Sequence, residues 1–301
     1  MNLTILGCHA ATPKISAHPT SQVLEMKGHL FLIDCGEGTQ VQLRKYKVKF
    51  SRIKHIFISH LHGDHFFGLP GLISTFHLMG REAEMHIYGP KGIKEVILLL
   101  LKLGKSYTKF PLYFHELEQD SPQLIFEDEK VTIETIPLIH RVYTNGFLFK
   151  EKPGDRKLNV DAVRSLNIDL SYYNKIKSGF DVLNREGVLV PNIQITFDPP
   201  PAKSYAYCSD TAYNPAMTSQ ISGSTVLYHE STFLNVHQEL CIKTKHSTAS
   251  EAAKIAEEAK VGTLILGHYS GRYNNLELFR NEAKGVFNNV LLAEDGKEFS
   301  F

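Results

Sequence analysis

Cysteine is scarce in this sequence, which has four in 301 residues: Cys8, Cys35, Cys208 and Cys241. No two of them form a C-x-x-C pair, so the sequence argues against a disulfide framework and indicates a reducing compartment. Cys35 and Cys208 lie in apolar, strand-like segments, and we expect both to be small buried side chains.

Long apolar runs and an excess of charge of either sign are also missing. The longest apolar run, Val96–Leu101, ends at Lys102 and is far too short to span a bilayer. Met1–Ala11 has neither the basic start nor the apolar stretch of a signal peptide. Lys and Arg number 33 against 32 Asp and Glu, so bulk charge does not attract nucleic acid, although a local basic patch is not excluded. We therefore expect a cytoplasmic protein with no membrane partner.

The remaining composition, 43% apolar and 22% charged, is that of an ordinary globular protein. Ile53–Ser59 is predicted to be a buried strand, and a helix should follow from about His65 to Leu78. The second half repeats the alternation, with strands at Ser204–Ser209, Thr225–His229 and Thr263–Leu266 and a helix at Ala249–Lys260. Because strands of both halves end in His or Asp, the pattern favours two similar sheets packed face to face, with helices outside.

One stretch departs from this alternation. Residues 150–191 show no sustained period, and eight Lys or Arg stand against five Asp or Glu between Lys150 and Arg185. We interpret residues 150–191 as an inserted, protruding arm of a single α/β domain that spans residues 1–301.

The strongest chemical signal is the segment His60-Leu61-His62-Gly63-Asp64-His65, directly after the apolar strand. Four potential ligands at one strand-to-helix turn can converge on a single cleft, and Gly63 would permit the tight backbone that this needs. Neutral imidazoles and carboxylates suit zinc. One turn cannot complete two coordination shells, so we expect partners after other strands, and the candidates are His140, Asp210 and His268.

Further motifs extend along nearly the whole chain: Leu6-Gly7, Asp34–Gln40, Pro137–His140, Ser209-Asp210-Thr211, His229–Phe233, His246–Ala249 and His268–Tyr273. Together with the His60–His65 segment, they resemble the metallo-β-lactamase superfamily and, more narrowly, the ribonuclease Z family of tRNA 3′-processing endonucleases. The His60–His65 segment alone specifies the superfamily. The motifs around Glu230 and His246 and the ending His268–Tyr273 narrow the resemblance to the family.

That resemblance implies a metallo-β-lactamase-type four-layer αβ/βα sandwich with two zinc ions per chain in a cleft at the strand ends. One zinc would take His60, His62 and His140, and the other would take Asp64, His65 and His268. Asp210 would bridge the two ions. Asp34 would orient the metal-binding segment without itself being a ligand, as partners of metal ligands commonly do.

The activity implied is zinc-dependent hydrolysis of a phosphodiester, which removes the 3′ trailer of precursor tRNA and leaves a 3′-hydroxyl. Two metals roughly 3.5–4 Å apart can clamp both the attacking and the leaving oxygen. Glu230 and His246 are our candidates for protonating the leaving oxygen, with Asp64 as the alternative. Thr248 followed by Glu251 is a capping-box pattern, which predicts a helix starting there and places His246 where backbone N–H groups favour a phosphate.

The substrate-binding segments depart from the bacterial family pattern. In the arm, the stretch Asn167–Tyr173 lacks the Gly-Pro pair that is usual there. The loop Thr12–His18 likewise lacks the usual Arg-Asn ending. In the family that loop influences where the cut falls relative to the discriminator nucleotide and the CCA end. The candidate substrate-binding residues are Lys152, Arg156 and Lys157 in the arm, a candidate RNA-binding exosite, and Arg272 beside His268. The resemblance also implies a homodimer in which one subunit's arm grips the precursor tRNA cut by the other.

Several alternatives stay open at the level of sequence. Six basic residues without an acid lie between Leu43 and Lys54, and they suit either an RNA backbone or a solvated helix face. The same metal site would also serve a two-zinc phosphodiesterase acting on small or non-tRNA substrates. A third reading is an RNA-binding module with a vestigial metal site. A lactamase or thioester hydrolase would share the His60–His65 segment but would not explain the ending His268–Tyr273.

Overall fold

The computed structural model describes all 301 residues, Met1–Phe301. Its strands are β1 (Asn2–Gly7), β2 (Ser21–Met26), β3 (His29–Cys35), β4 (His55–Phe57), β5 (Met85–Pro90), β6 (Leu112–Leu117), β7 (Leu124–Glu127), β8 (Val131–Pro137), β9 (Asn145–Glu151), β10 (Lys157–Leu158), β11 (Val182–Leu183), β12 (Leu189–Val190), β13 (Thr196–Phe197), β14 (Ser204–Cys208), β15 (Val226–Glu230), β16 (Thr263–Gly267), β17 (Val290–Leu292) and β18 (Glu298–Ser300). Its α-helices are α1 (Thr39–Lys45), α2 (Gly63–Phe66), α3 (Leu69–Leu78), α4 (Ile93–Leu103), α5 (Val160–Ser165), α6 (Tyr173–Lys177), α7 (Asn192–Ile195), α8 (Gln238–Thr244), α9 (Ala249–Glu258) and α10 (Glu277–Lys284).

Two seven-stranded sheets carry most of the chain. The first has the order β18-β1-β2-β3-β4-β5-β6, and the second has the order β17-β16-β15-β14-β9-β8-β7. Strands β3 to β6 are parallel in the first sheet, and β14 to β17 are parallel in the second. The antiparallel strands lie on one side of each sheet, so the two sheets resemble each other as predicted.

The apolar faces of the two sheets share one core. Phe31 and Phe57 from the first sheet belong to the same buried cluster as Phe147, Tyr205 and Tyr228 from the second. Each such fully buried side chain contributes about 1.5–3 kcal/mol through removal from water. A second cluster joins the opposite face of the first sheet to helices α1, α3 and α4, while α9 packs alanines on the second sheet. The expected layering of helices outside two facing sheets is therefore confirmed.

The predicted helix from His65 to Leu78 is divided in the structure. Helix α2 ends at Phe66, and α3 begins at Leu69. At the break, Gly68 lies so close to the backbone of Gly36 that a Cβ on Gly68 would stand 2.1 Å from the Gly36 carbonyl oxygen. This close approach brings the Asp34–Gln40 turn next to the metal-binding segment. It cannot be read from helical periodicity, which is why the sequence predicted a continuous helix.

Residues Glu151–Ala202, with Asp128–Lys130, form a separate compact unit. Its strands pair as two short antiparallel ladders, β10 with β13 and β11 with β12. It has a small apolar core of its own, made by Val163, Ile168, Ile176, Val182, Val190 and Ile195. The predicted arm of residues 150–191 stays a prediction, and the compact unit that contains most of it continues to Ala202.

All four cysteines are free and buried, which confirms the expectation for Cys35 and Cys208. No helix has the combination of length and apolar character that would carry it across a membrane.

Candidate metal centre

The metal-binding segment leaves the buried strand β4 and enters helix α2. His60 and His65 are buried, whereas His62 and Asp64 are partly exposed. Gly63 separates them, and a Cβ there would lie 2.3 Å from the ring of Phe67. Glycine at this turn therefore leaves room for the Phe67 ring to pack against the backbone.

Three residues at or just after strand ends have a backbone conformation that residues with a side chain rarely adopt. Asp34, Asp210 and His268 have φ values of 55°, 61° and 57°, in the left-handed region. Residues other than glycine rarely adopt it, and such outliers cluster at functional sites, where the surrounding structure holds them. Each of the three follows or ends a central strand, and each turns its side chain toward the His60–His65 segment.

Three histidines and one carboxylate oxygen form a first cluster. His62 Nδ1 lies 2.9 Å from His60 Nε2 and 3.3 Å from His140 Nε2. Asp210 Oδ2 lies 3.4 Å from His60 Nε2 and 3.6 Å from His140 Nε2. Four donor atoms from three separate parts of the chain therefore surround one point.

A second cluster shares Asp210 with the first. Its other oxygen, Oδ1, lies 3.2 Å from His65 Nε2 and 3.1 Å from His268 Nε2. Asp64 Oδ2 completes this cluster, 3.6 Å from His65 Nε2 and 3.5 Å from His268 Nε2. The structure thus brings together all seven residues proposed as metal ligands, with one oxygen of Asp210 facing each cluster.

The donor atoms fit a pair of metal ions. His65 Nε2 and His268 Nε2 are buried and make no hydrogen bond, which is costly unless another partner binds them. Two ligands about 2.1 Å from one tetrahedral ion stand about 3.4 Å apart. The separations within each cluster lie close to this value, and imidazole with carboxylate is a donor set that zinc accepts.

The ring nitrogens that face away from the clusters are held by hydrogen bonds. His140 Nδ1 donates to the carbonyl oxygen of Lys245 at 3.0 Å. The hydroxyls of Thr232 and Ser59 donate their own protons to the carboxylates of Glu230 and Asp34. They therefore accept from the rings, His268 Nδ1 donating to Thr232 Oγ1 at 2.8 Å and His60 Nδ1 to Ser59 Oγ at 3.0 Å. These bonds place the proton on Nδ1, so Nε2 of each ring presents its lone pair to the cluster. The sequence analysis did not single out Ser59 or Thr232, because a hydroxyl beside a histidine carries no distinctive spacing.

Asp34 is fully buried and accepts hydrogen bonds from three other residues. The Ser59 backbone N–H donates to its Oδ1 at 2.7 Å. Its Oδ2 accepts from His65 Nδ1 at 2.7 Å, from Tyr207 OH at 2.6 Å and from Ser59 Oγ at 2.9 Å. Asp34 therefore contacts a proposed ligand and none of the cluster centres, which is the arrangement expected for an orienting residue.

The two carboxylates of the site have the charge that metal ligands need, whereas His65 must lose a proton when an ion enters. Burial lowers the pKa of His65, but the neighbouring carboxylates, above all Asp210, outweigh burial and raise it well above its usual value. Burial, reinforced by the nearby His65, lowers the pKa of His60 well below its usual value, so this ring is neutral. Burial opposes ionisation of Asp210, but His268 and His65 outweigh it and hold the pKa of that carboxyl well below its usual range. Burial also opposes ionisation of Asp64, but His65 and His268 again outweigh burial and lower the pKa of this carboxyl. Both carboxylates are therefore ionised at neutral pH.

Glu230 and His246 form a pair beside the second cluster. His246 Nδ1 donates to Glu230 Oε1 at 2.7 Å, and the His246 ring stacks on that of His268 with centroids 5.4 Å apart. Burial favours the neutral ring, but the Glu230 carboxylate outweighs it and raises the pKa of His246 to about 9. Burial raises the pKa of Glu230, but the neighbouring His246 lowers it by more, so the pKa of Glu230 lies below its usual value. The pair is therefore ionic, with the imidazolium oriented by the carboxylate.

The predicted capping box is present at the start of α9. Thr248 Oγ1 accepts from the Glu251 backbone N–H at 3.1 Å, and the Glu251 carboxylate accepts from the Thr248 N–H at 2.9 Å. This arrangement fixes the chain that leaves His246. We expect Thr248→Ala to lower the free energy of unfolding by about 1 kcal/mol, because one helix N–H loses its acceptor. Urea denaturation measures this, and an unchanged midpoint would contradict it.

A cleft of about 460 Å³ opens over the two clusters. Two arginines line it together with His246, namely the predicted Arg272 and also Arg141, which the sequence analysis missed. Arg141 directly follows the proposed ligand His140, and that adjacency was the available signal. Both arginines stand where a phosphate chain could meet them.

Lys152, Arg156 and Lys157 belong to the second compact unit. Arg156 is engaged inside that unit, since its guanidinium contacts Asp198 and donates to Thr196 Oγ1 at 2.7 Å. Lys157 is exposed on strand β10. Within the unit, Lys157 is therefore better placed than Arg156 to meet a ligand.

Sequence similarity to known proteins extends well beyond the residues of this site. Residues 1–176 match the family model described as anti-Pycsar protein Apyc1, a stretch that contains the His60–His65 segment but ends before Asp210. A ribonuclease Z of Bacteroides thetaiotaomicron is 46% identical over 293 residues, which cover 97% of this chain and 93% of that relative. A ribonuclease Z of Porphyromonas gingivalis is 42% identical over 97% of this chain and 96% of its own length.

Solved structures agree with these relatives. The short form of human tRNase Z superposes with a TM-score of 0.74 at 28% identity, covering 100% of this chain and 99% of its own. The metallo-β-lactamase fold protein YhfI of Bacillus subtilis gives a TM-score of 0.69 at 19% identity, covering 99% of this chain and 98% of its own, which supports the fold alone. The predicted metallo-β-lactamase-type sandwich is therefore confirmed, and the chain belongs to the ribonuclease Z family.

Proposed function

We propose that this protein is a metal-dependent endoribonuclease that removes the 3′ trailer of precursor tRNA by hydrolysing one phosphodiester and leaving a 3′-hydroxyl. The observation that carries the proposal is a two-cluster histidine and aspartate site in a chain at least 40% identical to ribonuclease Z relatives over nearly its whole length. A hydrolase of this kind must attract the negatively charged phosphodiester. Besides the proposed metal ligands, the cleft presents the positive side chains of Arg141 and Arg272.

Two zinc ions per chain are the proposed cofactors. His60, His62 and His140 would hold one, Asp64, His65 and His268 would hold the other, and Asp210 would contact both. When bound, such a pair supplies Lewis acidity toward the phosphate and an activated water near neutral pH. The chain contributes ionised carboxylates and rings oriented by hydrogen bonds, and entry of an ion would release the proton that His65 holds.

The leaving 3′-oxygen needs a proton, and the candidates are His246, Glu230 and Asp64. His246 lines the cleft and carries a proton up to about pH 9 because Glu230 holds it. Glu230 is fully buried and accepts from the Thr211 and Thr232 backbone N–H groups at 2.8 and 3.1 Å, so its role is to orient and charge the imidazole. Asp64 lines the same cleft, but its low pKa leaves it ionised at neutral pH, so unlike His246 it holds no proton to donate.

The second compact unit is the proposed grip on the body of the tRNA, within a homodimer in which one subunit's arm holds the RNA cut by the other. Exchanging the exposed Lys157 and Lys175 for alanine should weaken binding of precursor tRNA and lower the salt slope of affinity by about one per lysine. Filter binding at several salt concentrations measures both quantities. Hydrolysis of bis(p-nitrophenyl) phosphate is the control and should not change, and an unaltered salt slope would remove the arm from RNA binding.

The decisive experiment incubates the purified protein with a precursor tRNA that carries a 3′ trailer, with zinc and with a chelator, and maps the new 3′ end. We expect one cut beside the discriminator nucleotide or CCA end, lost with chelator and restored by zinc. An uncut precursor together with rapid hydrolysis of bis(p-nitrophenyl) phosphate would move the substrate to small phosphodiesters. Failure on both substrates in the presence of zinc would refute the enzymatic assignment.

A further inference from the structure

The loop of residues 9–18 has no helix or strand and forms a wall shared by two cavities. Ala10, Ala11 and Thr12 line the 460 Å³ cleft over the metal clusters and also a neighbouring cavity of about 540 Å³. Gly63 and Asp64 line both cavities as well, so the loop faces the metal-binding segment across the space that joins them. A nucleotide chain that passes from one cavity to the other must follow this loop.

One carboxylate holds both ends of the loop. Asp295 Oδ2 accepts from the His18 backbone N–H at 2.9 Å and from His18 Nδ1 at 2.8 Å. Asp295 Oδ1 accepts a weaker hydrogen bond from Cys8 Sγ at 3.8 Å. Cys8 directly precedes the loop and His18 ends it, so the Asp295 side chain reinforces a closure that the backbone also makes, where the His9 N–H donates to the His18 carbonyl oxygen at 3.1 Å.

Asp295 is itself fixed by both sheets. On one side of it, the Ala293 N–H donates to the Leu266 carbonyl oxygen of β16 at 2.9 Å. On the other side, the Gly296 N–H donates to the Ile5 carbonyl oxygen of β1 at 2.7 Å. The backbone on both sides of Asp295 is therefore held by the sheets, and the Asp295 carboxylate fixes the loop relative to them.

A second anchor ties the middle of the loop to the metal-binding side of the cleft. Lys14 Nζ donates to the Tyr273 carbonyl oxygen at 2.8 Å. Between the anchors the loop is open to solvent, and Ile15 is fully exposed. Loss of the Asp295 contacts would leave Lys14 as the main side-chain restraint on this wall.

We propose that Asp295 is a positioning residue, which holds the loop of residues 9–18 against the cleft, so that the place of the cut depends on this distant carboxylate as well as on the loop. Asp295 touches neither metal cluster, so it acts through the loop. The inference rests on the proposed function, because selection among phosphodiesters matters only for a polynucleotide substrate.

The first test measures the loop directly. In Asp295→Ala both ends of the loop lose their side-chain acceptor, whereas the carbonyl oxygen of an asparagine would still accept both hydrogen bonds from His18. Trypsin should then cleave after Lys14 at least about 10-fold faster than in the wild type, because local opening becomes easier. Glu294→Ala is the matched control at the neighbouring exposed carboxylate and should be cleaved at the wild-type rate. Equal rates in Asp295→Ala and Glu294→Ala would overturn the proposal.

The second test separates positioning from a general structural role. With precursor tRNA, Asp295→Ala should raise KM about 10-fold and produce more than one 3′ end, while kcat for bis(p-nitrophenyl) phosphate stays within about twofold. His18→Ala, which removes the ring that Asp295 binds, should give the same pattern. A parallel fall on both substrates, or a single unchanged cut at wild-type KM, would overturn the proposal. If the wild type leaves precursor tRNA uncut, the proposed function fails instead, and the trypsin rates still decide whether Asp295 holds the loop.

Discussion

Asp210→Asn is expected to abolish precursor-tRNA cleavage and to empty both metal positions at once. Asp210 is the one side chain that contacts both clusters, Oδ2 facing His60 and His140 and Oδ1 facing His65 and His268. Asparagine tolerates the left-handed backbone at this position, so the substitution removes charge without straining the chain. Two-metal stabilisation amounts to several kcal/mol, so we expect cleavage to fall by at least about 10³-fold.

The matched comparison is Asp64→Ala. Asp64 belongs to the second cluster alone and is partly exposed, so this variant should fold, retain zinc at the first cluster and lose cleavage. Zinc per chain by elemental analysis and single-turnover cleavage of precursor tRNA measure the two effects. Full cleavage by Asp64→Ala would contradict the mechanism. Retention of both zinc ions by Asp210→Asn would contradict the shared-ligand arrangement.

Asp34→Asn is expected to be among the most destabilising single substitutions in the protein. The buried carboxylate of Asp34 faces only donors, with the Ser59 N–H on Oδ1 and three further groups on Oδ2. An asparagine turned either way would set its NH₂ group against a donor. Breaking a buried, hydrogen-bonded charge costs about 3–5 kcal/mol, and loss of a ligand-orienting partner lowers metal affinity about 10–100-fold.

Tyr207→Phe is the control for Asp34. It removes one donor and leaves the carboxylate with Ser59 and His65, so it should cost about 1–2 kcal/mol. Urea unfolding with and without zinc gives the stability, and competition with a chromophoric chelator gives the zinc affinity. If Asp34→Asn unfolds within about 0.5 kcal/mol of the wild type, the orienting role assigned to Asp34 is wrong.

The convergence of the seven candidate metal ligands was predictable because four of them are concentrated in one short segment of the sequence. Four potential ligands stand within the His60–His65 segment, and the other candidates, His140, Asp210 and His268, each follow a predicted strand, so they had to be considered together. The Thr248 capping box was predictable for a similar reason, since its two partners are three residues apart.

The features that the sequence did not predict depend on contacts between residues far apart in the chain, and such contacts leave no periodic signal. The break at Gly68 reflects the close backbone of Gly36, and the environment of Asp34 depends on Tyr207, which is 173 residues away in the chain. Asp295 meets His18 across 277 residues, and nothing near either residue in the sequence announces the other. Such pairs become visible only when the tertiary packing is known.

The left-handed backbone at Asp210 and His268 places the protein in a trade-off between stability and activity. Each of these two residues stores of order 1–3 kcal/mol of backbone strain. Selection for stability alone would therefore replace these residues, and selection for catalysis would restore them. Screens for thermostable variants of this chain should accordingly enrich substitutions at its strand ends that no longer cut RNA, unless zinc is supplied during selection.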